Sequence, residues 1–197
     1  MPNALQKTEG LRERNRRQTL QRIAEVGVEL FLAQGYEATT LDEIAAAAGI
    51  SRRTFFYYFK SKDDILLAHI DAYADALKAS VLEHSSGEAP LEVVREALLK
   101  LSTRFQLPRT IAIARLIGQS EALRDSRQRG YLRREQVVYE ALCELWPAKE
   151  RRDRLRLVAM ASIGALRIAV DAWLEQDGKR PLAKYLRDAF DNLKAEI

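Results

Sequence analysis

The chain has 197 residues, 47% hydrophobic and 30% charged, with nine Gly and five Pro, enough apolar material for a core without staples and too little Gly and Pro for collagen-like, low-complexity or disordered classes. Its single cysteine, Cys143, excludes an internal disulfide, and with no signal-type opening and no apolar run longer than 158–166, against roughly 20 residues for a membrane span, a cytoplasmic protein without a membrane partner is expected. The net charge of +4 is carried entirely by residues 1–22, where Lys7, Arg12, Arg14, Arg16, Arg17 and Arg22 face only Glu9 and Glu13.

Residues 1–18 therefore read as a basic arm drawn to phosphate or anionic lipid, or alternatively as a solvated helix start or leader. Beyond them nearly every segment has the 3.6-residue period, so the chain is expected to be all-α with about nine helices. Leu20, Ile23, Ala24, Gly27, Leu30 and Phe31 give a first helix ending near Ala33, with Gly35 suited to the residue past its end. Thr40-Leu41-Asp42-Glu43 is a capping box that opens a second helix, stopped at Gly49-Ile50. Ser51 caps a third almost at once, and two short helices joined by a Gly turn make a helix-turn-helix.

The third helix holds Arg52, Arg53, Thr54, Phe55, Phe56, Tyr57, Tyr58 and Phe59. Five aromatics in succession read as strand by propensity alone; the cap, the Arg pair and the preceding turn select a helix. Phe55 and Phe59, at i and i+4, then pack inward, and Arg52, Arg53, Phe56 and Tyr57 form an outward face that needs a partner. Ser61, Asp63 and Asp64 start a fourth helix ending near Ser85. Further helices follow over 91–105, 110–120, 122–145 (with Gly130 as a kink), 151–176 and from Pro181 to the C-terminus.

The run from Gly35 to Lys62, with Thr40, Ile44-Ala45, Gly49, Ser51, Thr54, Phe59 and Lys62 in register, resembles the DNA-binding domain of the TetR family of bacterial transcriptional repressors. The resemblance implies a helix-turn-helix domain over 19–64 and a regulatory ligand-binding and dimerisation domain over 65–197. It implies that Ser51, Arg52, Arg53 and Thr54 enter a major groove of double-stranded DNA, that Tyr57 and Tyr58 touch bases or phosphates, and that Thr40 and Lys62 grip the backbone; Arg16 and Arg17 are placed by the basic segment in reach of DNA. Arg also suits guanine O6 and N7 independently of any family. Phe56 departs from the family's common Tyr and is not expected to reach a phosphate.

The same resemblance implies a homodimer and a small-molecule effector that releases a near-palindromic operator. The apolar stripes of the last two helices supply interface candidates: Leu155, Ser162, Leu166, Trp173, Tyr185, Leu186 and Phe190, which pack either across a dimer or within the chain. His69, Tyr73, Phe105, Arg115, Tyr131, Tyr139 and Met160 are candidate pocket residues by mixed character, with ordinary core or surface placement as the alternative. The stretch 123–133 resembles that of relatives sensing acyl-coenzyme A thioesters. Two other functional classes fit the sequence less well. A di-iron helical-bundle enzyme lacks its chemistry, because neither His69 nor His84 completes a Glu-x-x-His unit, so no catalytic residue, metal or cofactor is expected. A membrane-surface adaptor needs a large apolar face beside Arg12–Arg17, and there is none.

Overall fold

The computed structural model describes residues 10–103, 108–119 and 123–196. Among them the chain is all α: α1 (Leu11–Gln34), α2 (Leu41–Ala47), α3 (Arg52–Tyr58), α4 (Lys62–Leu82), α5 (Pro90–Ser102), α6 (Pro108–Gln119), α7 (Arg124–Leu145), α8 (Arg152–Glu175) and α9 (Leu182–Glu196), with a short 3-10 turn at Lys149–Arg151 before α8. Two compact units divide within α4, between Ala68 and His69.

The first unit is built around Ile23, Val28, Phe31, Ile44, Phe55, Phe59, Ile65 and Leu66, all buried. Glycine at 27 lets α1 and the start of α4 touch, since an added Cβ would lie 2.9 Å from Ile65 Cδ1 and 3.0 Å from its Cγ2. Gly35 and Gly49 hold φ of +93° and +67°, the half of backbone space that a side chain disfavours, and so turn the chain out of α1 and into the α2–α3 turn. Two expected boundaries move. α1 reaches back to Leu11, so residues 11–18 follow the helix-start alternative; Leu, Arg, Glu and Gln are good helix formers and nothing after Gly10 breaks the run. The helix expected over 110–120 starts at Pro108, where the missing N–H costs nothing.

In the second unit α8 packs on α9, α7 and α5, around Leu98, Val138, Leu142, Leu155, Ile163, Leu166, Trp173, Leu186 and Phe190. The α8–α9 turn uses positive φ at Asp177 (56°) and Gly178 (67°), and Gly178 N–H donates to the Trp173 carbonyl at 2.9 Å, the bond that closes a Schellman end. Although the uninterrupted apolar run is short, an 18-residue window within Lys149–Glu175 reaches a mean hydropathy of 1.6, so by length and composition alone this helix is long and apolar enough to cross a membrane, a test that the core helix of a water-soluble fold also passes. Much of its apolar character goes into the core, the rest into an exposed stripe described below.

Candidate functional site

α2 and α3 are short, and capping decides that they exist at all. Thr40 Oγ1 accepts from Glu43 N–H at 3.2 Å while the Glu43 carboxylate accepts from Thr40 N–H at 2.7 Å and its hydroxyl at 2.9 Å, the reciprocal box read from the sequence. Ser51 Oγ accepts from Thr54 N–H at 3.1 Å. The bonds from Thr40, backbone first, hold the Glu43 carboxyl below its ordinary 4.5. A carboxylate with a lowered folded pKa stabilises above its ordinary pKa and loses that stabilisation as pH falls through the folded value. Accordingly Glu43→Gln should be less stable than wild type at neutral pH, with the gap closing below pH 4.5, whereas Thr40→Ala should cost about 1 kcal/mol; thermal melts across that range check both.

On this scaffold α3 splits its side chains cleanly. Phe55 and Phe59 are sealed, their rings 5.9 Å apart. Arg52 and Arg53 are exposed, Thr54 and Tyr58 half-buried, Phe56 43% and Tyr57 73% exposed. The two arginines differ. Arg52 is tethered at 3.2 Å to Asp42 on α2 and stands 5.7 Å over the Phe56 ring, an exposed pair worth under about 1 kcal/mol. Arg53, on the neighbouring turn position, carries no ion pair among the described residues.

Lys62 opens α4, where the sequence places it, and has partners within the chain. Its ammonium donates to the Tyr36 carbonyl at 2.7 Å and the Glu37 carbonyl at 3.3 Å and sits 4.6 Å over the Tyr36 ring. The Tyr36 hydroxyl in turn donates to Asp63; burial first, then this bond, pushes that phenol above its ordinary value. Lys62 thus ties the α1–α2 loop to the start of α4, with one of three ammonium hydrogens left for another acceptor. Arg16 is exposed on α1; the side chain of Arg17 lies outside the described residues.

Of the pocket candidates, the side chain of His69 and all of Phe105 also lie outside the described residues. Arg115 is bound to Asp177 through its carbonyl at 3.0 Å and carboxylate at 3.1 Å, linking α6 to the α8–α9 turn. Tyr139 is half-buried with the Arg156 guanidinium 5.1 Å over its ring. Met160 is corrected: at 49% exposed it lies on the outer face of α8 and lines no interior. Tyr73 and Tyr131 do converge on Arg134, whose guanidinium lies 5.0 Å from the first ring and 5.5 Å from the second.

The interface candidates need the larger correction. Leu155, Ser162, Leu166, Trp173, Leu186 and Phe190 are at most 3% exposed within the single chain, so the stripe taken for a dimer seam is the core seam; Tyr185 is half-buried, its hydroxyl donating to Gln176 at 2.8 Å. The opposite face of α8 is the open one: Leu157 (64%), Met160 and Ile168 (66%) fall in one line with exposed Gly164. A helix with apolar residues on both faces has one face for each of two partners, and the more apolar face goes to the chain's own core.

Residues 23–69 match the pattern of bacterial regulatory proteins of the tetR family, and residues 88–197 match the MftR C-terminal domain. The chain belongs to the TetR family. It is 30% identical over 203 residues to the HTH-type transcriptional regulator TcmR of Streptomyces glaucescens, spanning 95% of this chain and 88% of that one. It is also 30% identical over 187 residues, 93% of each, to a Mycobacterium tuberculosis protein named for mycofactocin biosynthesis regulation, MftR. Among solved structures, Thermus thermophilus FadR, described as a TetR-family repressor in complex with lauroyl-CoA, superposes with a TM-score of 0.62 at 23% identity, covering 87% of this chain and 91% of that chain. Bacillus subtilis FadR in complex with stearoyl-CoA gives 0.60 at 18%, covering 90% and 98%. At these identities the structures attest a common fold, and the ligands are those proteins' own.

For this TetR-family regulator, sequence reasoning missed Arg134. The signal was available: Tyr131, Arg134, Val138 and Ala141 follow the 3-4-3 spacing of a buried stripe, and an arginine standing in such a stripe is a departure to be explained.

Proposed function

We propose that this transcriptional regulator is a cytoplasmic repressor that binds a near-palindromic operator as a homodimer and leaves it when an effector occupies the second unit. The observation that carries the reading is the outward face of α3, where two guanidiniums and two large aromatics stand exposed on a capped two-helix scaffold. Arg53, free of any tether among the described residues, is the base reader; Ser51, Arg52, Thr54, Tyr57 and Tyr58 flank it, Thr40 and Arg16 meet phosphates, and Lys62 acts chiefly by fixing the loop beside them. Base readout by a bidentate arginine is worth about 1–3 kcal/mol of discrimination. Arg53→Ala should therefore weaken the operator far more than random duplex, while Lys62→Met should lower the melting temperature of the chain as well as DNA affinity; fluorescence anisotropy on both duplexes, beside thermal melts, reads the difference.

The exposed α8 stripe supports the dimer. An isologous interface needs one self-complementary patch, and Gly164, with open space where its side chain would be, lets two copies of α8 approach closely. Two such recognition helices reach successive major grooves when about 34–36 Å apart. α4 runs through both units, so an effector-induced change in the second is delivered to the first along it; a coupling of roughly 1–3 kcal/mol weakens the operator some 5–150-fold. An acyl-thioester is the effector class favoured by the 123–133 resemblance and by the ligands of the two FadR structures. Selection of genomic fragments on the purified protein, followed by footprinting, tests the whole: a protected near-palindrome is expected, and protection without sequence preference overturns it.

A further inference from the structure

α7 sets Arg134 one turn beyond Tyr131, and Tyr73 of α4 also has its ring within 5.0 Å of the Arg134 guanidinium. Two aromatic faces attract a guanidinium through their quadrupoles, each by about 0.5–2 kcal/mol, but neither accepts a hydrogen bond or neutralises the charge. Nε of Arg134 is buried with no hydrogen-bond partner, and no carboxylate pairs with the group among the described residues. Burial depresses its basicity, yet an arginine does not deprotonate in a protein. Arg134 is half-buried, and its Nε is removed from water without a partner, a cost the fold bears for some return.

The surroundings add to the charge. The Arg167 guanidinium, from α8, stands 5.8 Å from the Tyr131 ring, and Arg127, Arg134 and Arg167 all act to lower the pKa of the Tyr131 phenol, against burial, which raises it more, and Asp171, the acidic group that acts with burial. Three arginines against one aspartate around a buried phenol leave this part of the second unit with an excess of positive charge. We infer that Arg134, with Tyr131 and Arg167 beside it, is the seat of an oxyanion, so that the effector of this regulator carries a carboxylate or a phosphate and docks that group on the Arg134 guanidinium. The inference rests on the ligand-responsive reading above and narrows it to anionic effectors. The planar fork of arginine binds either oxyanion through two parallel hydrogen bonds.

The test is thermal melting of the full chain with inorganic phosphate or benzoate against chloride at matched ionic strength, for wild type, Arg134→Met and Arg134→Lys. Wild type should melt about 3–6 °C higher at roughly tenfold excess of anion over its Kd, Arg134→Met should not respond, and Arg134→Lys should keep a smaller response. A response to phosphate alone assigns a phosphate-bearing effector, and one to benzoate alone a carboxylate. Should the Met variant not fold, Arg134→Gln serves the same comparison. A wild type indifferent to both anions overturns the inference, as does a response that survives in Arg134→Met, which places the anion on the exposed arginines of α3. Operator release is scored separately: loss of anion protection in Arg134→Met with an operator affinity that no ligand changes in wild type keeps the anion seat and removes the effector reading. Release by an effector that ignores the Arg134 substitutions removes the seat and keeps that reading.

Discussion

Phe55→Ala is expected to abolish sequence-specific DNA binding while leaving the second unit folded. Phe55 is fully buried, its ring 5.9 Å from Phe59 and 5.8 Å from Phe56, and α3 has only seven residues, far fewer than the 12–15 or so at which an isolated helix becomes even marginal in water. Packing, with the Ser51 cap, is thus what keeps it helical. Truncating a buried Phe costs about 3–5 kcal/mol through lost transfer energy and the cavity left behind, a sum comparable with the whole stability of a small domain. Phe56→Ala, one residue along and 43% exposed, forfeits an edge contact worth about 0.5–1.5 kcal/mol and should leave the fold intact. Circular dichroism melts with operator titrations on both variants separate the cases; equal stability losses from the two would show that α3 does not rest on Phe55.

That contrast also marks how far the sequence could be read. The α2–α3 pair was legible almost residue by residue, because its determinants are local: a Thr-x-x-Glu box, a Ser cap, glycines where the chain must turn, and aromatics at i and i+4. A capping bond spans three residues, and so does the pattern that announces it. In the second unit the helices were legible from their period, yet their pairing was not. Leu155, Leu166 and Trp173 form a stripe that any apolar surface could cover, and whether that surface is α9 of the same chain or of another is a fact about packing, not about periodicity. Lys62 shows the same limit from the polar side. Its position suggests a free cation, and only the folded loop brings the carbonyls of Tyr36 and Glu37 to it.

The division of α8 into two apolar faces leads to the second large effect. Ile168→Arg, on the open stripe, should leave each chain folded, split the proposed dimer into monomers and so remove most operator affinity, whereas Leu166→Arg, two positions away and 3% exposed, should unfold the second unit. Ile168 is 66% exposed, so an arginine there desolvates nothing in a monomer; in an interface closed by a two-fold axis each substitution occurs twice and brings like charges toward one another, a juxtaposition that costs several kcal/mol. Leu166 lies in the seam toward the chain's own core, where an unpaired guanidinium has neither water nor a carboxylate. Sedimentation velocity and melting on the pair read the two outcomes independently. A dimer that survives Ile168→Arg, together with one that dissociates on a conservative change at the Leu155–Leu166 seam, would return the interface to the inner stripe and leave Leu157, Met160 and Ile168 without a partner.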